Sequence, residues 1–295
     1  NIQNFCGESY KNSRKYPNVN HVHEPTATCT TMYSSLIFVS GCLFFPALFI
    51  LLQRVLKLLF VHRLNDGNIS KISELSVSSI QAILSSMAGA AIVRKCQHDI
   101  MKDSHWLTNA YASFGISYFI YDIWAMYVVA SFLDTKIRTI PGKWSRFWYF
   151  IRTNIPMMLH HTVLPCIIYP VIMFWRKGQG DFFVGVFYMI EMAIPFIAVR
   201  TILAQLKMKD TPFYIVVGIL MIAAFFICRV LVFPFLYWQY SLYASIPFLE
   251  VPFRIPIKCN LGCCSLLIFQ IYWLVLMIRG AFRVFYKIYL RNKAK

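Results

Sequence analysis

Seven apolar runs, each long enough to cross a bilayer, constrain this chain more than any other feature. A helical span needs about 20 mostly apolar residues, and such runs occupy roughly 33–53, 75–93, 110–133, 157–175, 182–205, 213–237 and 265–286. With 58% hydrophobic and only 14% charged residues, there is too little polar side chain to cover a water-soluble surface. Lipid is the expected solvent. The second run, "SVSSIQAILSSMAGAAIV", is rich in Ser, Ala and Gly, which let helices approach closely, so it is expected to pack against protein rather than lipid. The fold class read from the runs is all-α, a polytopic membrane protein of seven transmembrane helices.

The net charge of +17 would suggest nucleic acid in a soluble protein. Here the basic residues lie between and after the apolar runs, a pattern of membrane orientation and anionic headgroups. No nucleic-acid partner is expected. Placing the C-terminus in the cytosol puts seventeen Lys and Arg on that side, including Lys136, Arg138, Lys143, Arg146 and Arg152, against ten on the other, with Arg200 and Arg229 inside spans. The N-terminus is then lumenal. The tail "RNKAK" resembles a dilysine-type retrieval signal, placing the chain in the endoplasmic reticulum membrane or, further along, the Golgi membrane. The sequon at Asn68 falls on the cytosolic side and should stay unmodified. Residues 1–31 contain no apolar run and are expected to be a disordered lumenal tail or a gene-model extension, followed by a membrane domain over 32–287 and a basic cytosolic tail over 288–295.

The nine cysteines are odd in number and lie mostly in or beside the runs, so neither a disulfide framework nor a zinc site is implied. The seven histidines provide no HxxxH or HxxHH spacing, which excludes a di-iron histidine box. No metal or resident cofactor is expected.

Charged side chains at bilayer depth cost about 2.5–3.5 kcal/mol on insertion scales and face protein or a cavity. Asp122, Glu191 and Arg229 lie mid-span, and the pair His160 and His161 heads the fourth run. Arg229 with one carboxylate can be a structural ion pair that specifies helix packing. The histidines can be interfacial, or one can look into the bundle while its neighbour binds the flank, because adjacent helix positions point about 100° apart. An inward imidazole could take a proton from an amine or hydroxyl, or attack an acyl group, with Asp122 orienting the ring.

At these residues the chain resembles the TLC-domain family, which includes ceramide synthases. The likeness runs from about Met32 to Lys287 through "CLFFPALF" (42–49), "SYFIYDIWAMY" (117–127), "LHHTVL" (159–164), "GDFFVGVFYMIEMAIPF" (180–196), "CRVLVFPFLYWQY" (228–240) and "VPFRIPIKCN" (251–260). It is closest to the small vertebrate members linked to ceramide synthesis. The resemblance implies a barrel-like helix bundle around a lipid-sized chamber. It also implies transfer of an acyl chain from acyl-CoA, a co-substrate, to the amine of a sphingoid base. His160, His161 and Asp122 then match the catalytic set, with Glu191, Arg229, Gln81 and Tyr188 as substrate-binding candidates and the basic 134–156 loop as a dock for the acyl-CoA headgroup. Membrane lipids and other TLC-domain synthases are the implied partners. Two departures count against catalysis. Phe187 and Tyr188 stand where ceramide synthases continue to a His-Asp pair, and Gln81 stands where close relatives carry a histidine. A non-catalytic lipid-binding protein is the alternative. A seven-span receptor is a third reading, opposed by the absence of DRY-like and NPxxY-like sequences.

Overall fold

A computed structural model describes residues 27–60 and 64–293. The expected tail therefore lies outside the described residues up to position 26, and helix begins at Ala27. The elements are α1 (Ala27–Leu59), α2 (Asp66–Lys95), α3 (Trp106–Leu133), α4 (Thr135–Thr139), α5 (Lys143–Thr153), α6 (Ile155–Val163), α7 (Asp181–Met189), α8 (Ile194–Gln205), α9 (Pro212–Phe225), α10 (Val232–Ala244), α11 (Val251–Arg254) and α12 (Ile257–Lys293). Among the described residues there is no strand, and seven helical segments are long and apolar enough to span a membrane. Four are single helices or parts of one, α1, α2, α3 and α12. The other three are broken: α6 continues through π turns to Trp175, α7 and α8 join through a 3₁₀ turn, and α9 and α10 join through a π turn. Helix satisfies every backbone group locally, which is why hydrocarbon selects it.

Polar side chains set the helix starts. Asn65 accepts from the Asn68 N–H at 2.8 Å to cap α2, Asp134 caps α4 by accepting from Lys136 at 2.8 Å, and His105 Nδ1 accepts from Leu107 at 3.2 Å ahead of α3. Asn68, of the sequon, is thereby fixed in the first turn of α2.

The second span is the most buried of the seven. One stripe of α2, including Ser70, Ser73, Val77, Ser78, Gln81, Ser85 and Gly89, is shielded by α1, α3 and α7. Ser78 Oγ donates to the Glu74 carbonyl at 2.9 Å and Ser85 Oγ to the Tyr188 carbonyl at 3.0 Å, while the Ser73 and Ser86 hydroxyls are buried without a partner among the described residues. A Cβ on Gly89 would lie 2.4 Å from the Gly185 carbonyl oxygen of α7. Only a residue without a side chain permits that approach.

Two apolar clusters flank the stripe. Phe45 and Phe49 of α1 pack on Val77, Tyr118, Tyr121 and Ala125 of α2 and α3. Ile92 of α2 packs on Phe182 and Val186 of α7 and Phe233 of α10. The seventh span is mostly exposed, as a lipid-facing helix should be. At the start of α7, Asp181 ties the span ends together. It accepts from the His105 N–H and Thr108 Oγ1 at 2.7 Å each and pairs with Arg176.

The loop proposed for headgroup docking folds as α4 and α5. Lys143, Arg146 and Arg152 lie on α5 beside Trp144 and Trp148, whose exposed rings suit an amphipathic helix at the membrane surface. The seven cysteines whose side chains are described are free thiols. Burial pushes the Cys96 thiol up to about 11, so it stays protonated and unreactive near neutrality.

Gly89→Val should force α2 and α7 apart and lower the thermal midpoint in detergent, a loss of about 1–3 kcal/mol. Gly280→Ala, where an added Cβ meets nothing within 4 Å, should leave the midpoint unchanged or slightly raised.

Candidate functional site

His161, Glu191 and Arg229 each sit at or beside a break in their helix, with a proline shortly after, whereas Asp122 lies within the unbroken α3. Pro165 follows His161 by four residues, Pro195 follows Glu191 by four, and Pro234 follows Val230, the neighbour of Arg229, by four. A proline has no N–H to donate to the carbonyl four residues earlier and its ring crowds that carbonyl. The backbone responds with π turns at Leu164–Ile168 and Phe226–Val230 and a 3₁₀ turn at Ile190–Ala193. The Glu191 carbonyl accepts instead from Ile194, and the Phe226 carbonyl from Leu231 at 3.0 Å. Such single-turn departures rotate the side chains beyond them and concentrate at functional sites.

His161 and Asp122 meet across the third and fourth spans. His161 Nε2 lies 2.8 Å from Asp122 Oδ2, with both side chains almost fully buried. The other ring nitrogen, Nδ1, is 2.9 Å from the Met157 carbonyl. A carbonyl can only accept, so Nδ1 carries a proton, and the Nε2···Oδ2 contact needs a second. The pair holds two protons between imidazole and carboxyl and is neutral overall. With both nitrogens engaged, His161 has no lone pair free for a substrate. Asp122 Oδ1 is buried without a partner.

His160 is placed differently. Among the described residues it makes no hydrogen bond, and its half-buried ring meets the rings of His161, Trp273 and Phe119, with centroids 5.3, 5.3 and 6.4 Å away. It lines a cavity of about 290 Å³ enclosed by the second to seventh spans. Most of that wall is apolar, with Phe119, Leu164, Ile168 and Phe233 among its residues. The polar part of the wall includes Gln81, Tyr111, Tyr188, Glu191, Arg229 and Gln270.

Glu191 and Arg229 form the second buried pair, Oε2 to Nη2 at 3.1 Å. The Arg229 guanidinium also sits over the Phe225 ring at 5.5 Å, and its Nε is buried without an acceptor. Of the expected substrate-binding residues, all four line the cavity, yet each is already engaged. Gln81 Nε2 donates to the Tyr111 hydroxyl at 3.4 Å, which donates back to the Gln81 carbonyl at 3.2 Å. The Tyr188 hydroxyl donates to the Thr108 carbonyl at 2.8 Å. Asp122 and His161 are not part of the wall and stand behind His160 and Phe119.

Sequence reasoning passed over Gln270 and Glu74. Gln270 interrupts "LLIFQIYWLV", is buried, and leaves Oε1 unpartnered at the cavity; a lone amide mid-run was the available signal. Glu74 is buried on α2 and bonded to Lys71 at 2.7 Å. Its position near the edge of the second run concealed it. Among the described residues no group of three or more His, Cys, Asp or Glu is placed to hold a metal.

A family model described as the TLC domain matches residues 71–279, well over half of the 295-residue chain. The match takes in every residue of the two buried pairs and of the cavity wall.

Removing one member of a buried pair strands the other charge. Glu191→Gln should destabilise the protein by about 3–5 kcal/mol, and Glu191→Gln combined with Arg229→Met by much less than the sum of the single changes. Denaturation midpoints of the four proteins, arranged as a double-mutant cycle, measure the coupling.

Proposed function

The chain belongs to the TLC-domain family, and from that premise we propose that it transfers an acyl chain from acyl-CoA to the amine of a sphingoid base within the membrane cavity. A lipid-related membrane function follows from the family itself; the reaction is the finer reading. The observation that carries it is the arrangement of the histidines, one held by a carboxylate and a carbonyl, the other free at the wall of an apolar cavity.

In the proposed reaction the amine nitrogen attacks the thioester carbonyl carbon. His160 accepts the proton the amine gives up and, as the C–S bond breaks, returns that proton to the leaving thiolate, so that amide and free thiol are formed and the imidazole is neutral again. His161 and Asp122 do not exchange protons with substrate. They fix the ring against which the His160 imidazole packs edge to face and keep its surroundings neutral, so the lone pair of His160 is not drawn to a nearby acid. Glu191 and Arg229 provide a hydrogen-bonding pair for the polar end of the base, and the apolar wall accepts its chain. Exclusion of water protects the thioester from hydrolysis. No cofactor is required beyond acyl-CoA as co-substrate.

The positive charge on α4 and α5 suits a nucleotide headgroup approaching from the cytosol. It supports an orientation with the N-terminus lumenal and the C-terminus cytosolic, in the endoplasmic reticulum or Golgi membrane, where association with other TLC-domain synthases would be possible by co-residence. A second reading, a non-catalytic lipid-binding protein, has its own support: Gln81 and Tyr188 are spent on internal hydrogen bonds and cannot shuttle protons.

Purified protein given labelled acyl-CoA and sphinganine separates the two. Turnover should fall by about 10²-fold or more in His160→Ala, within the range for loss of a general base, and should fall less in Asp122→Asn. Equal turnover in wild type and His160→Ala would reject the transferase; bound lipid at stoichiometric amount without turnover would establish the second reading.

A further inference from the structure

A second cavity, of about 410 Å³, lies apart from the first, between the fifth, sixth and seventh spans. Arg200 of α8 is its one charged residue; the rest of the wall is apolar or aromatic, with Tyr214, Ile219 and Phe226 from the sixth span and Met277 and Phe285 from the seventh. Ile219 and Phe226 are substantially exposed, so the groove opens toward the bilayer.

The guanidinium is held in place rather than hanging free. Its Cζ sits 4.8 Å from the centre of the Tyr214 ring. A Cβ on Gly218 would approach Nε to 3.1 Å, so the bare glycine provides the slot in which the arginine lies. Nε is buried with no acceptor, and Arg200 has no ion pair among the described residues. This contrasts with Arg229 and Arg176, each of which faces a carboxylate. A guanidinium inside a membrane-spanning segment without a counter-charge is unfavourable unless something else supplies the anion.

Depth identifies the supplier. Arg200 is five residues from the end of α8, about 8 Å at helical rise. Tyr214 is in the first turn of α9, and Phe285 lies in the last part of the seventh span. All three spans therefore present the groove at one membrane face, the face that also carries Lys207, Lys209, Arg279 and Arg283. A phosphate there sits at headgroup level with its acyl chain lying inward along α9 and α12.

We propose that this groove is a binding site for an anionic glycerophospholipid, its phosphate on the Arg200 guanidinium and an acyl chain between α9 and α12. The bidentate fork of arginine matches phosphate oxygens, and a site walled by hydrocarbon on one side and a cation on the other discriminates by charge. The volume falls in the range of ordinary small-ligand pockets, roughly 300–1,000 Å³, enough for part of one chain with the remainder in lipid. The site shares no lining residue with the first cavity.

The test is retention of labelled lipid by the full-length protein in phosphatidylcholine nanodiscs doped with phosphatidic acid. Wild type should retain phosphatidic acid over phosphatidylcholine, Arg200→Gln should weaken retention by about tenfold or more, and Arg200→Lys should recover part of it. Gly218→Leu, which fills the slot, should also lose it. His160→Ala should bind as wild type does, so failure of the acyl-transfer reading leaves this result standing. Equal retention by wild type and Arg200→Gln, equal retention of phosphatidylcholine and phosphatidic acid, or thermal protection by inorganic phosphate alone equal to that by the lipid would each overturn the proposal. Thermal midpoints of the variants in lipid-free detergent check folding, and Arg200→Lys carries the comparison should Arg200→Gln unfold.

Discussion

A charge carried into hydrocarbon must be neutralised where it lies, and this requirement organises the interior of the bundle. Two pairs meet it. His161 with Asp122 joins the fourth span to the third, and Glu191 with Arg229 joins the fifth to the sixth. Neither pair is a stability device in the ordinary sense, since desolvating two charges costs about as much as their attraction returns. Their effect is on specificity: a helix that rotated or slid past its neighbour would leave one member alone, and that state is excluded. The first cavity is bounded by helices fixed in this way, so the polar groups on its wall stay aimed inward.

The same economy governs the backbone. Irregular helix is tolerated at membrane depth where protein or a cavity, rather than lipid, receives the exposed groups. The π and 3₁₀ turns of the fourth, fifth and sixth spans all border the cavity, and Leu164, Ile190 and Arg229 from them are in its wall. His161, Glu191 and Arg229 lie at or beside these breaks, where a broken helix and an ionisable side chain share the same shelter.

Much of this was legible from residues alone. The seven runs announced themselves because nothing but lipid rewards about twenty successive apolar positions, although α1 and the sixth span continue several residues past the expected ends, to Leu59 and Ala244, where interfacial residues extend the helix beyond the hydrocarbon. The small residues of the second run marked it as protein-packed. The carriers of charge were also readable, since Asp122, Glu191 and Arg229 stand alone in apolar stretches. Asp122 was expected to orient one of the two histidines, but which histidine, and which carboxylate meets Arg229, was not readable, because that depends on helix order and rotation, properties of distant segments. Likewise the adjacent histidines could not be told apart until a carbonyl and a carboxylate were found to occupy both nitrogens of one. The prolines four residues beyond His161 and Glu191 were in plain view, but their meaning needs the helix to be known first.

The serine-rich stripe of α2 has a consequence for how the protein comes into being. Only neighbouring helices shield that stripe, and the span ranks among the least apolar of the seven. Left by itself among lipid tails it would gain little from staying there. Its residence in the bilayer is thus a collective property, won when α3 and α7 close over it, and the ribosome releases both of those after it. During synthesis this segment is a guest waiting for its hosts, a natural client for whatever cellular machinery shelters half-finished membrane proteins.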